Sequence, residues 1–282
     1  MSKASQIALV TGSSTGIGFE TSLALARNGF HTYATMRNLD KSGKIMEIAS
    51  NESLPLDVLR LDVTDDKSIK EAIGQVYDKN KRIDVLINNA GYALAGPLEE
   101  TSTEEIKTQF ETNFFGAIKT MQSVIPIMRN QKNGKIVNIT SMGGRIAIPL
   151  DPIYHGTKFA LEGLSECIRY ELGLFNIKIM LIEPGAVGSN FWNNIKMANK
   201  SENSLSPYRN VVDTVSETFS KMSENVISPS KVANVIVEAV TTDTPEFRYV
   251  VGEDAKMIME KNKNLSDKEF ENFIKEQFNL KY

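Results

Sequence analysis

Tyr154 and Lys158 stand four positions apart in Tyr154-His155-Gly156-Thr157-Lys158. On a helix that spacing puts both side chains on one face, one turn apart. A phenol is a weak acid with an ordinary pKa of about 10, and bringing it near 7 takes about 4 kcal/mol of electrostatic help. An ammonium one turn away supplies part of that. Ser141, thirteen positions before Tyr154 and just after an apolar run, adds a hydroxyl able to reach the same substrate oxygen. Such a set suits delivery of a proton to an oxygen becoming an alkoxide. No side chain supplies a hydride, so a carbonyl reduction here needs a bound cofactor.

A cofactor site is legible upstream. The apolar run at Ile7–Val10 leads into Thr11-Gly12-Ser13-Ser14-Thr15-Gly16-Ile17-Gly18 and then into a helical pattern. Glycines there let the backbone turn tightly against a pyrophosphate, and free amides at a helix start offer hydrogen bonds and positive potential. Gly12, Ser14, Thr15, Gly16, Ile17 and Gly18 are the candidates, although the spacing differs from G-x-G-x-x-G. A dinucleotide site for NAD usually has a carboxylate ending its second strand. Here that end reads Ala34-Thr35-Met36-Arg37-Asn38, and the Arg37 guanidinium suits a 2′-phosphate instead. The expectation is NADP(H), with NAD(H) possible.

The elements that must position these groups follow from periodicity. Short β-branched runs alternate with helical stretches, the pattern of a parallel sheet with helices on both faces. Strands are expected at Ile7–Thr11, Thr32–Met36, Val58–Leu61, Val85–Asn88, Lys135–Thr140, Ile179–Glu183 and Arg248–Val251. Together they make one doubly wound Rossmann-type α/β domain over residues 1–282, with a seven-stranded parallel sheet. Gly29 marks the stop of a first helix. Thr103 to Gln131 reads as a long helix that Pro126 should kink or break. Ile153 to Leu174 repeats apolar residues on one face, with Pro152 in its first turn.

After Gly185 a polar and aromatic insertion runs through 186–228, too long for a simple connection and of the kind that forms lids. Its Phe191, Trp192, Met197, Tyr208, Val212, Val215 and Phe219 suit a lipophilic alcohol or ketone, or else dock the insertion on the core. A C-terminal helical extension, 253–282, contains the capping box Ser266-Asp267-Lys268-Glu269 before Phe270, Phe273, Ile274 and Phe278 on one face.

Composition narrows the class. Lysine and arginine total 32 against 35 acidic residues, a formal charge of −3 with both signs scattered, which disfavours nucleic acid as a partner. Cys167 is the single cysteine and reads as a core thiol in a reducing, cytoplasmic setting. There is no signal-peptide pattern and no apolar run long enough to span a bilayer. The sequons at Asn51 and Asn138 are therefore expected to be coincidental. His31 and His155 form no metal-ligand cluster, so no metal is expected, and His155 reads as a pocket wall or surface residue.

Thr11 to Gly18, Asn88-Asn89-Ala90-Gly91 and Tyr154 to Lys158, in this order at successive strand ends, resemble the short-chain dehydrogenase/reductase family across about residues 6–252. Tyr33 to Leu39 resembles its 17β-hydroxysteroid and retinol dehydrogenase branch. The resemblance implies that Asn113 joins Ser141, Tyr154 and Lys158 as the fourth catalytic member, with a structural and proton-relay role. It implies that Asp62 and Val63 border the adenine, that Asn89, Ala90 and Gly91 line the cofactor cleft, and that Tyr154 and Lys158 also touch the cofactor. Pro184, Gly185, Val187 and Ser189 would seat the nicotinamide amide, Ser189 replacing the usual threonine. The implied activity is hydride transfer between NADP(H) and a carbonyl or secondary alcohol. An NAD-dependent alcohol dehydrogenase and a non-catalytic NADP(H)-sensing regulator stay open. Relatives usually form a homodimer or homotetramer through the two long helices.

Overall fold

A computed structural model describes residues 5–188, 195–201, 205–222 and 226–282. The central sheet has strand order β3-β2-β1-β4-β6-β7-β9, with every neighbouring pair parallel. Its strands are β1 (Ile7–Val10), β2 (His31–Met36), β3 (Leu56–Arg60), β4 (Val85–Asn88), β6 (Gly134–Ile139), β7 (Ile177–Pro184) and β9 (Arg248–Val251). The seven expected strands are all present, β4 and β9 with the expected ends and the other five with ends shifted by one or two residues. Two residues each of β5 (Leu94–Ala95) and β8 (Lys196–Met197) form a separate parallel pair that periodicity was too short to reveal.

Alternation along the strands divides the core in two. Ile7, Leu9, Leu86 and Ile136 pack with α3 (Asp66–Asn80), α5 (Gly116–Gln131) and α6 (Pro152–Gly173). Ala8, Val10, Ile87, Val137 and Ile182 pack on the other face with α1 (Gly16–Arg27) and α8 (Pro229–Thr241). Sealed leucine and isoleucine side chains of this kind each contribute about 1.5–3 kcal/mol. α2 (Gly43–Asn51) covers the β2–β3 edge through Ile45.

The expected long helix at 103–131 is two helices. α4 (Thr103–Phe110), capped reciprocally by Ser102 and Glu105, passes through a π-helical turn at Glu111–Phe115 into α5. α5 continues through Pro126. The carbonyl deprived of its donor belongs to Gln122, on the exposed side with Pro126, where water can satisfy it. Pro152 does occupy the first turn of α6. Cys167 is exposed, contrary to expectation: the inward face of α6 is set by Leu161, Ser165 and Leu172, and Cys167 falls outside it.

Within the insertion, α7 (Arg209–Met222) is a regular helix. Val215, with Val211 and Phe219, packs against Ile274 and Phe278 of the C-terminal segment. That segment is α9 (Glu253–Asn264) followed by α10 (Asp267–Gln277), opened by the expected Ser266–Glu269 capping box. These insertion residues are therefore used in docking. Phe191 and Trp192 lie outside the described residues. Among the described residues no helix is long and apolar enough to cross a membrane.

Candidate active site

The sheet reverses its winding direction at β1, flanked by β2 and β4. Crevices beyond the carboxyl ends of such strands are where α/β sheets hold ligands. Gly12 follows β1 with φ +70, and a Cβ on it would lie 2.8 Å from Ala90 Cα. Thr11 Oγ1 accepts from the backbone N–H of Asn89 at 3.0 Å and of Ala90 at 3.1 Å. The Asn89 amide nitrogen returns bonds to the carbonyls of Thr11 at 3.0 Å and Gly12 at 3.1 Å. A Cβ on Gly18 would strike that same amide. The glycine loop is thus fastened to the end of β4 by side chains.

Thr15 begins α1 without a side-chain cap, and Gly16 takes φ +62. Bare backbone where a Cβ cannot fit, beside an uncapped helix start, fits a pyrophosphate. Ser14 and Ile17 are half-buried in the same turn. Arg37 is exposed just past β2, and its charge acts on Asp62. Burial works to raise the Asp62 carboxyl, but bonds from Thr64 and the charges of Arg37 and Arg60 hold it below the ordinary range. Val63 is buried against Gly116, where a Cβ would stand 2.8 Å from it.

On the other side, Pro184 ends β7 and the Gly185 N–H donates to Val251 O at 2.9 Å. Asp254 accepts from the Ala186 N–H at 2.7 Å, and Val187 bridges to Ile227. Ser189 lies outside the described residues.

Buried amides join the sheet to the helices that carry the remaining groups. Thr120 Oγ1 donates to Asn88 Oδ1 at 2.6 Å, Asn88 Nδ2 to Asn138 Oδ1 at 2.9 Å, and Asn138 Nδ2 to Ser165 Oγ at 2.9 Å. Asn138, one of the two sequon asparagines, is thereby sealed inside β6. α5 and α6 are held in register with β4 and β6.

Asn113 sits in the π-helical turn, which turns its side chain inward. Its Oδ1 accepts from Tyr92 N–H at 3.1 Å, and its Nδ2 donates to Tyr92 O at 2.8 Å and Thr157 Oγ1 at 3.2 Å. Thr157 Oγ1 donates in turn to Tyr154 O at 2.7 Å. Gly91 lies against Asn113 as well. Lys158 Nζ donates to Ile139 O at 2.8 Å and stands 5.7 Å from the centre of the Tyr154 ring. Ser141 hydrogen-bonds Tyr154. The structure therefore brings Asn113, Ser141, Tyr154 and Lys158 together.

The electrostatics differ from the expectation of an acidified phenol. Burial pushes Tyr154 up to about 12; the Ser141 bond opposes this and the Asp151 charge adds to it. Burial likewise drives Lys158 down to about 8, against the Glu162 charge that favours its ammonium. Lys158 gives one of its three N–H groups to Ile139 O, and removal from water outweighs the Glu162 charge on its ammonium.

Sequence reasoning missed two neighbours. Asp151, 7% exposed, has Oδ1 without a partner, and burial pushes it up to about 7. His155 is buried rather than a surface group, and it acts as a clamp. Its Nδ1 lies 2.7 Å from Gly143 O and its Nε2 accepts from Ile148 N–H at 3.2 Å, which fixes the loop after Ser141. The run Ser141-Met142-Gly143-Gly144 was the available hint: a Cβ at Gly143 would lie 2.8 Å from the imidazole.

Known proteins resemble this chain in both sequence and structure. The short chain dehydrogenase family model matches residues 6–200. The 3-ketodihydrosphingosine reductase of Bacteroides thetaiotaomicron is 34% identical over 260 residues, covering 92% of this chain and 92% of that protein. Bovine retinol dehydrogenase 8 is 35% identical over 261 residues, covering 88% of this chain and 82% of its own. A short-chain dehydrogenase structure from Streptomyces avermitilis superposes with a TM-score of 0.83 at 29% identity, covering 99% of this chain and 100% of that one. The chain belongs to the short-chain dehydrogenase family of oxidoreductases, with retinol dehydrogenase-like relatives.

Proposed function

We propose that the chain is an NADP(H)-dependent enzyme that interconverts a lipophilic ketone and its secondary alcohol. The observation that carries this reading is the convergence of Tyr154, Ser141, Lys158 and Asn113 beside a glycine loop whose shape excludes side chains. When bound, the nicotinamide supplies the hydride. Tyr154 donates its phenolic proton to the oxygen that receives negative charge, and Ser141 holds that oxygen by a hydrogen bond. A phenol with a raised pKa stays protonated, which is the form that reduction uses. The Lys158 ammonium supports the phenolate left behind, and Asn113 fixes the backbone of Tyr92 and the start of α6.

Arg37 supports NADP(H), since no carboxylate ends β2. Relatives named for retinol and 3-ketodihydrosphingosine support a lipophilic substrate. A cytoplasmic location and a single domain with its insertion at 186–228 complete the proposal. We also assign a homodimer or homotetramer contact to the α4–α5 and α6 surfaces, where Phe115, Phe159, Tyr170 and Leu174 are exposed.

The test is NADPH consumption across aliphatic, aromatic, steroidal and sphingoid ketones. Tyr154→Phe should lower turnover by at least about 10²-fold while cofactor affinity stays within about threefold. Unchanged turnover removes Tyr154 from the chemistry.

A further inference from the structure

One helical turn beyond Lys158, Glu162 lies buried on α6 and meets a second buried carboxylate, Glu183, near the end of β7. Their exposures are 4% and 0%. A single nitrogen, Arg248 Nε, stands 3.1 Å from Glu162 Oε2 and 3.2 Å from Glu183 Oε1. Arg145 Nη1 reaches that Glu183 oxygen at 3.4 Å, while Arg248 Nη2 turns to Glu166 at 2.9 Å. Each buried carboxylate keeps one oxygen with no hydrogen-bond partner, Glu162 Oε1 and Glu183 Oε2. Carboxylates gathered round one N–H and shielded from water repel each other, and such a pair takes up a proton. Burial and the Glu162 charge push Glu183 up to about 7, against the pull of Arg145 and Arg248.

The pair is joined to the catalytic groups. The Glu162 charge favours the ammonium form of Lys158, which burial opposes. Gly144, in the turn after Ser141, fits against both: a Cβ there would lie 2.9 Å from Glu162 Cγ and 3.1 Å from Lys158 O. The charged groups facing the pair are Lys158 and Glu166 on α6, Arg145 on the Ser141 loop and Arg248 on β9, with Arg169 acting on Glu166.

We propose that Glu162 and Glu183 hold one proton between them near neutral pH and together act as positioning residues for Lys158, keeping its ammonium charged as the solution turns alkaline. This rests on the catalytic reading above. As pH rises the pair releases its proton to solvent, and the negative charge it gains favours a proton on Lys158 that burial alone would remove.

The test compares the pH profile of kcat for ketone reduction in the wild type, Glu162→Gln and Glu183→Gln, with unfolding temperature and NADPH affinity as controls on folding. Glu162→Gln should move the basic limb down by about one pH unit, an about tenfold loss of kcat on the alkaline side, with kcat at pH 6 within about twofold. Glu183→Gln removes the second carboxylate while keeping Glu162, and should leave that limb in place or move it upward. An unmoved limb in Glu162→Gln, or the same downward shift in both variants, overturns the proposal.

Should Glu162→Gln fail to fold, infrared spectra of the ligand-free protein decide. In an Asp151→Asn background, a protonated carboxylic C=O band should vanish between pH 6 and 8.5, and should be missing in Glu183→Gln. A band undiminished by Glu183→Gln overturns the proposal. Turnover that survives Tyr154→Phe would sink the catalytic reading alone, because the infrared result does not depend on it.

Discussion

At the scale of single residues, Arg37 is the side chain whose identity departs most informatively from an NAD site. Its guanidinium is exposed at the end of β2, with Asp62 held ionised nearby. Arg37→Asp replaces a partner for a 2′-phosphate with a repulsive carboxylate, one better matched to ribose hydroxyls. The expected outcome is an NADPH Kd raised by about 10- to 100-fold with NADH binding unchanged or tighter, measured by fluorescence titration. Equal affinities before and after the change would take Arg37 out of cofactor selection. The spacing of Tyr154 and Lys158 was legible because helix geometry ties position to face, and Ser141 because it stands just after a strand. The phenol's raised pKa was not, since it depends on how completely the fold removes it from water. Nor were His155 as a clamp and the Glu162–Glu183 pair, whose partners are set by packing rather than spacing.

Among the elements, α10 has a use that its distance in sequence conceals. Ile274 and Phe278 close over Val215 and Phe219 of α7, and Ile148 and Leu150 of the loop after Ser141 reach the same cluster. The C-terminal segment thereby braces the insertion and the catalytic loop together. Phe278→Ala leaves a cavity at that junction and should cost about 3–5 kcal/mol of stability, read from a urea unfolding midpoint. It should also raise KM more than it lowers kcat for the best ketone of the panel, because it loosens the α7 side without touching Tyr154. A midpoint within error of the wild type would show that the contact is not stabilising. The strands and the capping box were readable because they are local patterns. The π-helical turn at Glu111–Phe115 and the β5–β8 pair escaped, one for lack of a composition signal and the other for brevity.

For the molecule as a whole, apolar side chains left at the surface of α4–α5 and α6 point to self-association. Phe159, 45% exposed one residue after Lys158, lies on the flank of the packed face of α6. Phe159→Glu should lower the mass seen by light scattering towards that of one chain, and a monomeric wild type would remove the premise. Because all seven strands run in parallel, the glycine loop, Asn89, Ser141 and Gly185 all follow the same ends of their strands, on one rim of the sheet. On the opposite rim, five of the six reversals from helix back to strand carry a left-handed residue: Gly29, Ser53, Lys81, Lys132 and Asn176. Those corners lie at the far ends of the strands from the glycine loop and Ser141, so affinity tags or circular permutation joints placed there should leave the working rim undisturbed.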